Sequence, residues 1–185
     1  MGITQEELEQ LRKYRNTSDK DDVRYKQIIK RKVLKNNKLI YLIHNKELED
    51  EEASADEYYG VNILPYYLIA PVQHNVQNYI CFEVSQEEVS RGNSVMKVLQ
   101  VILYVLCHHK DINVKELNSA RHDVIAAELI NDFQGCNDFG TQLKLISDKP
   151  SVVDNDYAAR TLIFEQITTN SLTNNGRTTN LRAGY

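Results

Sequence analysis

The stretch VMKVLQVILYVLCHH, residues 95–109, limits the fold more than any other part of the chain. It opens by alternating, at Val95 and Lys97, and then becomes almost wholly apolar. That pattern suits a long strand that enters a core and is covered there. A chain of 185 residues is long enough to build such a core as one domain, with or without appendages.

The β character begins at Asn62. NILPYYLIA and NYICFEV are rich in branched and aromatic residues and read as a strand pair, with Pro71 and Asn75 marking the connection. Pro65 predicts that the first strand starts irregularly or lies at an edge. SQEEVSRGNS reads as a loop that turns at Arg91, Gly92 and Asn93. After the long strand comes the clearest helix, with Ser119 as its expected N-cap and Ile125, Ala126, Leu129, Ile130 and Phe133 on one face. Gly135 can end it in the left-handed conformation. TQLKLIS and YAARTLIFEQIT supply two closing strands joined by DKPSVVDND, and the polar run from Asn170 reads as a mobile tail.

Charge is laid out in blocks. Through Lys46 there are twelve Lys or Arg against six Asp or Glu, whereas ELEDEEASADEYYG, residues 47–60, carries seven acids and no base. The basic block holds a helix, capped by Asp21 or Asp22, with Tyr25, Ile28, Ile29 and Val33 on one stripe. Asn36 or Asn37 can end it and cap a second, short helix. The acidic run is too polar to pack and is expected as a solvated loop. Basic and acidic blocks on identical subunits suit head-to-tail contacts, which close rings. This makes Lys26, Lys30 and Arg31, with Glu49, Asp50, Glu51 and Glu52, candidates for subunit contacts or a lumen lining.

Several kinds of chemistry find no support. Three cysteines without a CxxC spacing read as reduced thiols, and the first ten residues, MGITQEELEQ, lack an apolar signal region. The Met-Gly start fits a myristoylation site poorly. No glycine-rich phosphate loop occurs, and the basic helix lacks the interleaved aromatics of a base-stacking surface. Cys107, His108, His109, Asp111, His122 and Asp123 crowd together in sequence, which raises a metal-dependent enzyme using His108, His109 and His122 as an alternative. Adjacent His108 and His109 point to opposite faces if the strand persists, however, and no HExxH or HxH spacing accompanies them. Asp123 is explained by the positive end of a helix dipole, and Cys107 by burial in an apolar strand.

The order of parts, with NYICFEV, RHDVIAAELI, FGTQLKLISD and RTLIFE as its nearest phrases, resembles the neck proteins of tailed bacteriophages, of the tail-terminator or tail-completion type. The resemblance spans Asn62 to Thr168; the acidic insertion and the Asn/Thr-rich tail depart from the pattern. It implies an α+β fold in which a curved, mostly antiparallel sheet packs against one main helix, as in tail-tube subunits. An N-terminal helical segment with the acidic loop (1–60) would precede the core domain (61–169), and a C-terminal extended arm (170–185) would follow. Arg177, Arg182 and Tyr185 are its candidate contacts with a neighbour. The resemblance further implies a structural virion protein forming a hexameric ring that caps the tail tube, stops its growth and joins tail to head. Its partners would be its own copies, the tail-tube protein, a connector or head-closure protein, and passing genomic DNA without specific binding. It implies no catalytic residue, no cofactor, no resident metal and no membrane, with assembly in the host cytoplasm. A head-closure or head–tail connector protein is the alternative within the same class.

Overall fold

The computed structural model describes residues 4–13, 21–67, 76–90, 93–153 and 156–169. Five helices and seven strands alternate along it: α1 (Gln5–Lys13), α2 (Asp21–Lys35), α3 (Asn37–Ile43), α4 (Lys46–Asp50), β1 (Ile63–Leu64), β2 (Tyr79–Ser90), β3 (Asn93–His108), β4 (Asn113–Val114), β5 (Ser119–Ala120), α5 (Arg121–Phe133), β6 (Lys144–Val152) and β7 (Tyr157–Thr169). The architecture is α+β. A mixed sheet has the order β1-β2-β3-β7-β6, and β4 and β5 pair separately. Every pairing in the large sheet is antiparallel except β1 with β2. Among the described residues no helix is long and apolar enough to cross a membrane.

β3 is the axis of the molecule, paired along nearly its whole length to β2 on one side and β7 on the other. Its odd positions, Leu99, Val101, Leu103, Val105 and Cys107, are fully buried against the helices. On the opposite face Leu106 is also buried, in a smaller cluster with Leu64, Tyr79, Cys81, Tyr157 and Ala159. The strand is therefore covered on both sides near its end, which is why its sequence loses alternation there.

Three helices, rather than one, close the inner face. Tyr25, Ile29 and Val33 of α2, Leu39, Leu42 and Ile43 of α3, and Ile125, Ala126, Leu129 and Phe133 of α5 share a single core with Ile80, Phe82, Leu162 and Phe164 of the sheet. Each such side chain contributes on the order of 2 kcal/mol by leaving water. α2, α3 and the segment around Tyr58 are thus part of the same core as the sheet. The expected stripe on α2 is the buried one, and Asn36 is the cap between α2 and α3, accepting from the Lys38 and Leu39 N–H groups at 3.0 and 3.4 Å.

Several expectations require correction. The acidic run is not a loop throughout: Asn45 caps α4, and Ser54 with Glu57 forms a capping box at a 3-10 turn, Ala55–Tyr58. Half-buried Leu48 and buried Tyr58 anchor that segment to the core. The first strand of the expected pair shrinks to Ile63–Leu64, because Pro65 has no N–H to continue it. SQEEVSRGNS is mostly strand, since β2 runs to Ser90 and β3 starts at Asn93. Ser119 is not the cap of α5; it lies in β5 opposite Val114, and Ala120 precedes the helix. β6 continues through Pro150 to Val152, as an edge strand allows. Gly135 does end α5, at φ 75°. The expected C-terminal arm, with Arg177, Arg182 and Tyr185, lies outside the described residues.

Candidate functional site

The stretch around His108 folds into a polar knot where both ends of the helical layer meet the end of β3. Arg121, 5% exposed, sends Nε to the Asp111 carbonyl (2.7 Å) and Nη1 to the Leu42 carbonyl at the end of α3 (2.8 Å). Its Nη2 reaches Asp111 Oδ1 (3.1 Å). The other oxygen of Asp111 faces His44 Nδ1 (2.9 Å) and accepts from the Asn78 amide (2.8 Å). Asn78 also donates to the Ile43 carbonyl and accepts from the His108 N–H. A relay of buried amides, Asn45 to Asn62 to the Asn78 carbonyl, carries the network to the start of α4. His44 itself closes α3 in the left-handed conformation (φ 52°), a strained choice for a residue with a β-carbon that its Asp111 and Arg121 contacts hold in place.

Each of these groups is buried or half-buried with a partner, as a structural knot requires. Arg121 was legible only as a first-turn residue; its role comes from partners in distant segments. Cys107 lies at the core side of the knot, and burial pushes its thiol far up, out of reach of thiolate chemistry. Burial likewise raises Cys136.

The six-member chemical cluster of the sequence separates in space. Asp111 belongs to the knot, and Asp123 turns to Arg160, which also grips Asp148 through Nε and Nη2 at 2.6 and 3.0 Å. His122 places Nε2 3.4 Å from Asp123 and keeps Nδ1 buried without a hydrogen-bond partner among the described residues. His108 and His109, in contrast, come together. The strand stops at His108, a 3-10 turn takes His109 to Asp111, and the two rings stack with centroids 4.8 Å apart. The expectation of opposed rings fails because the strand does not persist. One nitrogen from each ring and one carboxylate oxygen of Asp156 lie within 4.8 Å of one another.

On the outer side of α2, Arg24, Gln27, Ile28, Arg31, Lys32, Lys35 and Asp138 line an open groove of about 870 Å³. Lys32 is tied to Asp138 (2.7 Å), leaving Arg24, Arg31 and Lys35 as the exposed cations. A second groove, between α2 and the 3-10 turn, brings Lys30, Arg31 and Lys35 beside Asp56, so the basic and acidic blocks adjoin within one chain. Lys30 sits over the Tyr59 ring at 3.9 Å, and Lys26 is occupied by Glu83 (2.5 Å) and the Pro65 carbonyl. Of the proposed contact residues, Arg31, Glu49, Asp50, Glu51 and Glu52 are exposed. Tyr58 feels the neighbouring acids: its phenol is raised mainly by burial and further by Glu49.

No curated protein matches the chain significantly. A family model, YomW, matches residues 36–166, from the Asn36 cap through α3, the knot and the whole five-stranded sheet to Gln166. The match covers well over half of the chain, which therefore belongs to the YomW family, named after a gene in the Bacillus phage SPbeta region, a membership that points to a phage-associated protein.

Proposed function

We propose that this chain is a structural, non-catalytic component of a phage neck, copies of which form a ring that caps the tail tube, ends its growth and joins the tail to the filled head. The observation that carries this reading is the asymmetry of the sheet. Its inner face is closed by α2, α3 and α5, whereas among the described residues the outer face is roofed mainly at one end, where Tyr67 lies on Tyr104 at 4.4 Å. Away from that roof two apolar pairs share the face, Ile102 opposite Ile163 and Val98 opposite Ile167, with the polar pair Gln100–Glu165 between them, and Ile167 is 53% exposed. An open sheet face with apolar positions is a surface for a neighbouring subunit. Exposed Arg24, Arg31 and Lys35 and exposed Glu49 to Glu52 supply complementary charge for repeating, head-to-tail contacts. An acidic lumen would let DNA pass without adhesion.

The test is electron microscopy of lysates from a phage with a nonsense mutation in this gene. Overlong tails beside unattached full heads are the expected result. Heads that leak DNA beside tails of normal length would move the protein to the head-closure side of the joint. Intact particles would overturn the reading.

A further inference from the structure

We propose that His108, His109 and Asp156 form a binding site for one late first-row divalent cation, of which Zn²⁺ is the representative. The inference stands on side-chain geometry and does not rest on the neck reading. The backbone brings the three residues together: His108 pairs with Tyr157 in the sheet, and the His109 N–H donates to the Asp156 carbonyl at 2.8 Å. The end of β3 and the start of β7 are thereby held face to face. His108 is the anchored member, 4% exposed, with its ring against the edge of Tyr157 at 5.2 Å. The side chains of His109 and Asp156 are 50% and 55% exposed and already face one another, with His109 Nδ1 3.6 Å from Asp156 Oδ1.

Two imidazole nitrogens and one carboxylate oxygen are the ligand set of Zn²⁺, Co²⁺, Ni²⁺ or Cu²⁺, whereas Mg²⁺ and Ca²⁺ require shells of oxygen. Ligand atoms about 2.0–2.2 Å from a tetrahedral ion lie roughly 3.3 Å apart, against the 4.8 Å within which these three atoms already fall. Rotation of the two exposed side chains toward the buried ring closes that difference. His109 Nδ1 faces both the Asp156 carbonyl, at 3.2 Å, and Asp156 Oδ1, at 3.6 Å, so it either exchanges the carbonyl for the ion or the ring turns to present Nε2. Ligation also displaces a contact of His108: its Nδ1 accepts the Lys110 N–H at 3.2 Å, so either this nitrogen exchanges the N–H for the metal or the ring changes tautomer. With three protein ligands the fourth position is left to water. The bound ion would clamp two strand ends that are far apart in sequence.

The test uses the full chain without an affinity tag, stripped with chelator and titrated with Zn²⁺ by calorimetry and with Co²⁺ by absorption spectroscopy. One ion per chain is expected, with visible Co²⁺ bands of a nitrogen–oxygen site, a rise in Tm, and no competition from excess Mg²⁺. Because His108 is buried, the variants are the exposed H109A and D156N, each expected to weaken binding by about tenfold or more while keeping the wild-type circular dichroism. H122A is expected to bind as wild type. No saturable binding, or binding that H109A leaves unchanged, or equal weakening by H122A, would overturn the proposal.

Discussion

Asn36 shows how much one side chain can organise. Its oxygen caps α3, while its amide nitrogen donates to Glu128 (3.0 Å) and Asp132 (2.7 Å) on α5, joining two helices at a single point. The Asn36 hydrogen bond, with help from Lys38, holds the Glu128 carboxyl below its ordinary range. A carboxylate lowered on folding stabilises the protein above its unfolded value of about 4.3, and that stabilisation is lost as pH falls through the lower folded value. N36A should therefore cost about 1 kcal/mol at neutral pH from the lost cap and also make the acid-side loss of stability shallower. N36D keeps the cap oxygen but sets a third carboxylate against Glu128 and Asp132, so it should be no more stable than N36A. Urea unfolding across pH 3 to 7, in the range set by carboxylate titration, checks both statements; an N36D protein as stable as wild type would contradict this account. Arg121 is the heavier residue. R121A takes the arginine donor from Asp111 Oδ1 and from the Leu42 carbonyl inside the knot, and about 3 kcal/mol or more should disappear from the unfolding free energy. A loss under 1 kcal/mol would mean that the knot is not structural.

At the scale of elements, α2 behaves as part of the sheet domain. Ile29 and Val33 are fully buried, and Gln86 of β2 donates to Asp22 at the start of the helix. I29A should cost roughly 2–5 kcal/mol, as deep core truncations do, and should lower the single unfolding transition of the whole chain rather than melt a separate segment. Two transitions in calorimetry, with only the first shifted, would instead make residues before 61 an independent unit. This packing was partly legible: the α2 stripe, the face of α5, the Asn36 cap and the Gly135 stop are local patterns, and each fell where periodicity and capping chemistry put it. The extent of the strands was not. SQEEVSRGNS and DKPSVV look like loops because one side of each strand there meets water, and only pairing with β3 or β7 makes them extended. The acidic run misled for a similar reason, since Leu48, Tyr58 and Tyr59 anchor it and their partners are remote. The candidate metal ligands were half visible. His108 and His109 stand together in sequence, but Asp156 joins them only through the β3–β7 register, and the turn that aligns the rings has no signature of its own.

At the scale of the molecule, the outer side of the sheet leaves apolar positions exposed among the described residues. Ile167 is 53% exposed at the open end of the outer face, beside Val98 and at the C-terminal end of β7. A charge placed there costs a lone chain little, within about 0.5 kcal/mol, because the side chain is already half in water. In an assembled ring the same charge would be trapped between subunits without a partner, a far larger penalty. I167D should therefore retain the wild-type Tm at concentrations low enough to keep the chain monomeric, yet lose the oligomer that sedimentation velocity is expected to resolve for wild type at higher concentration. The electrostatic part separates by salt. If Arg31 and the exposed acids of Glu49 to Glu52 meet across the contact, R31E should weaken assembly most at low ionic strength, and the difference from wild type should shrink as salt screens it. A wild-type chain that stays monomeric at every concentration, or an I167D chain that assembles as well as wild type, would remove the sheet face as the subunit contact. Loss of assembly in I167D with no salt dependence in R31E would leave the apolar face in place and discard the charge pairing.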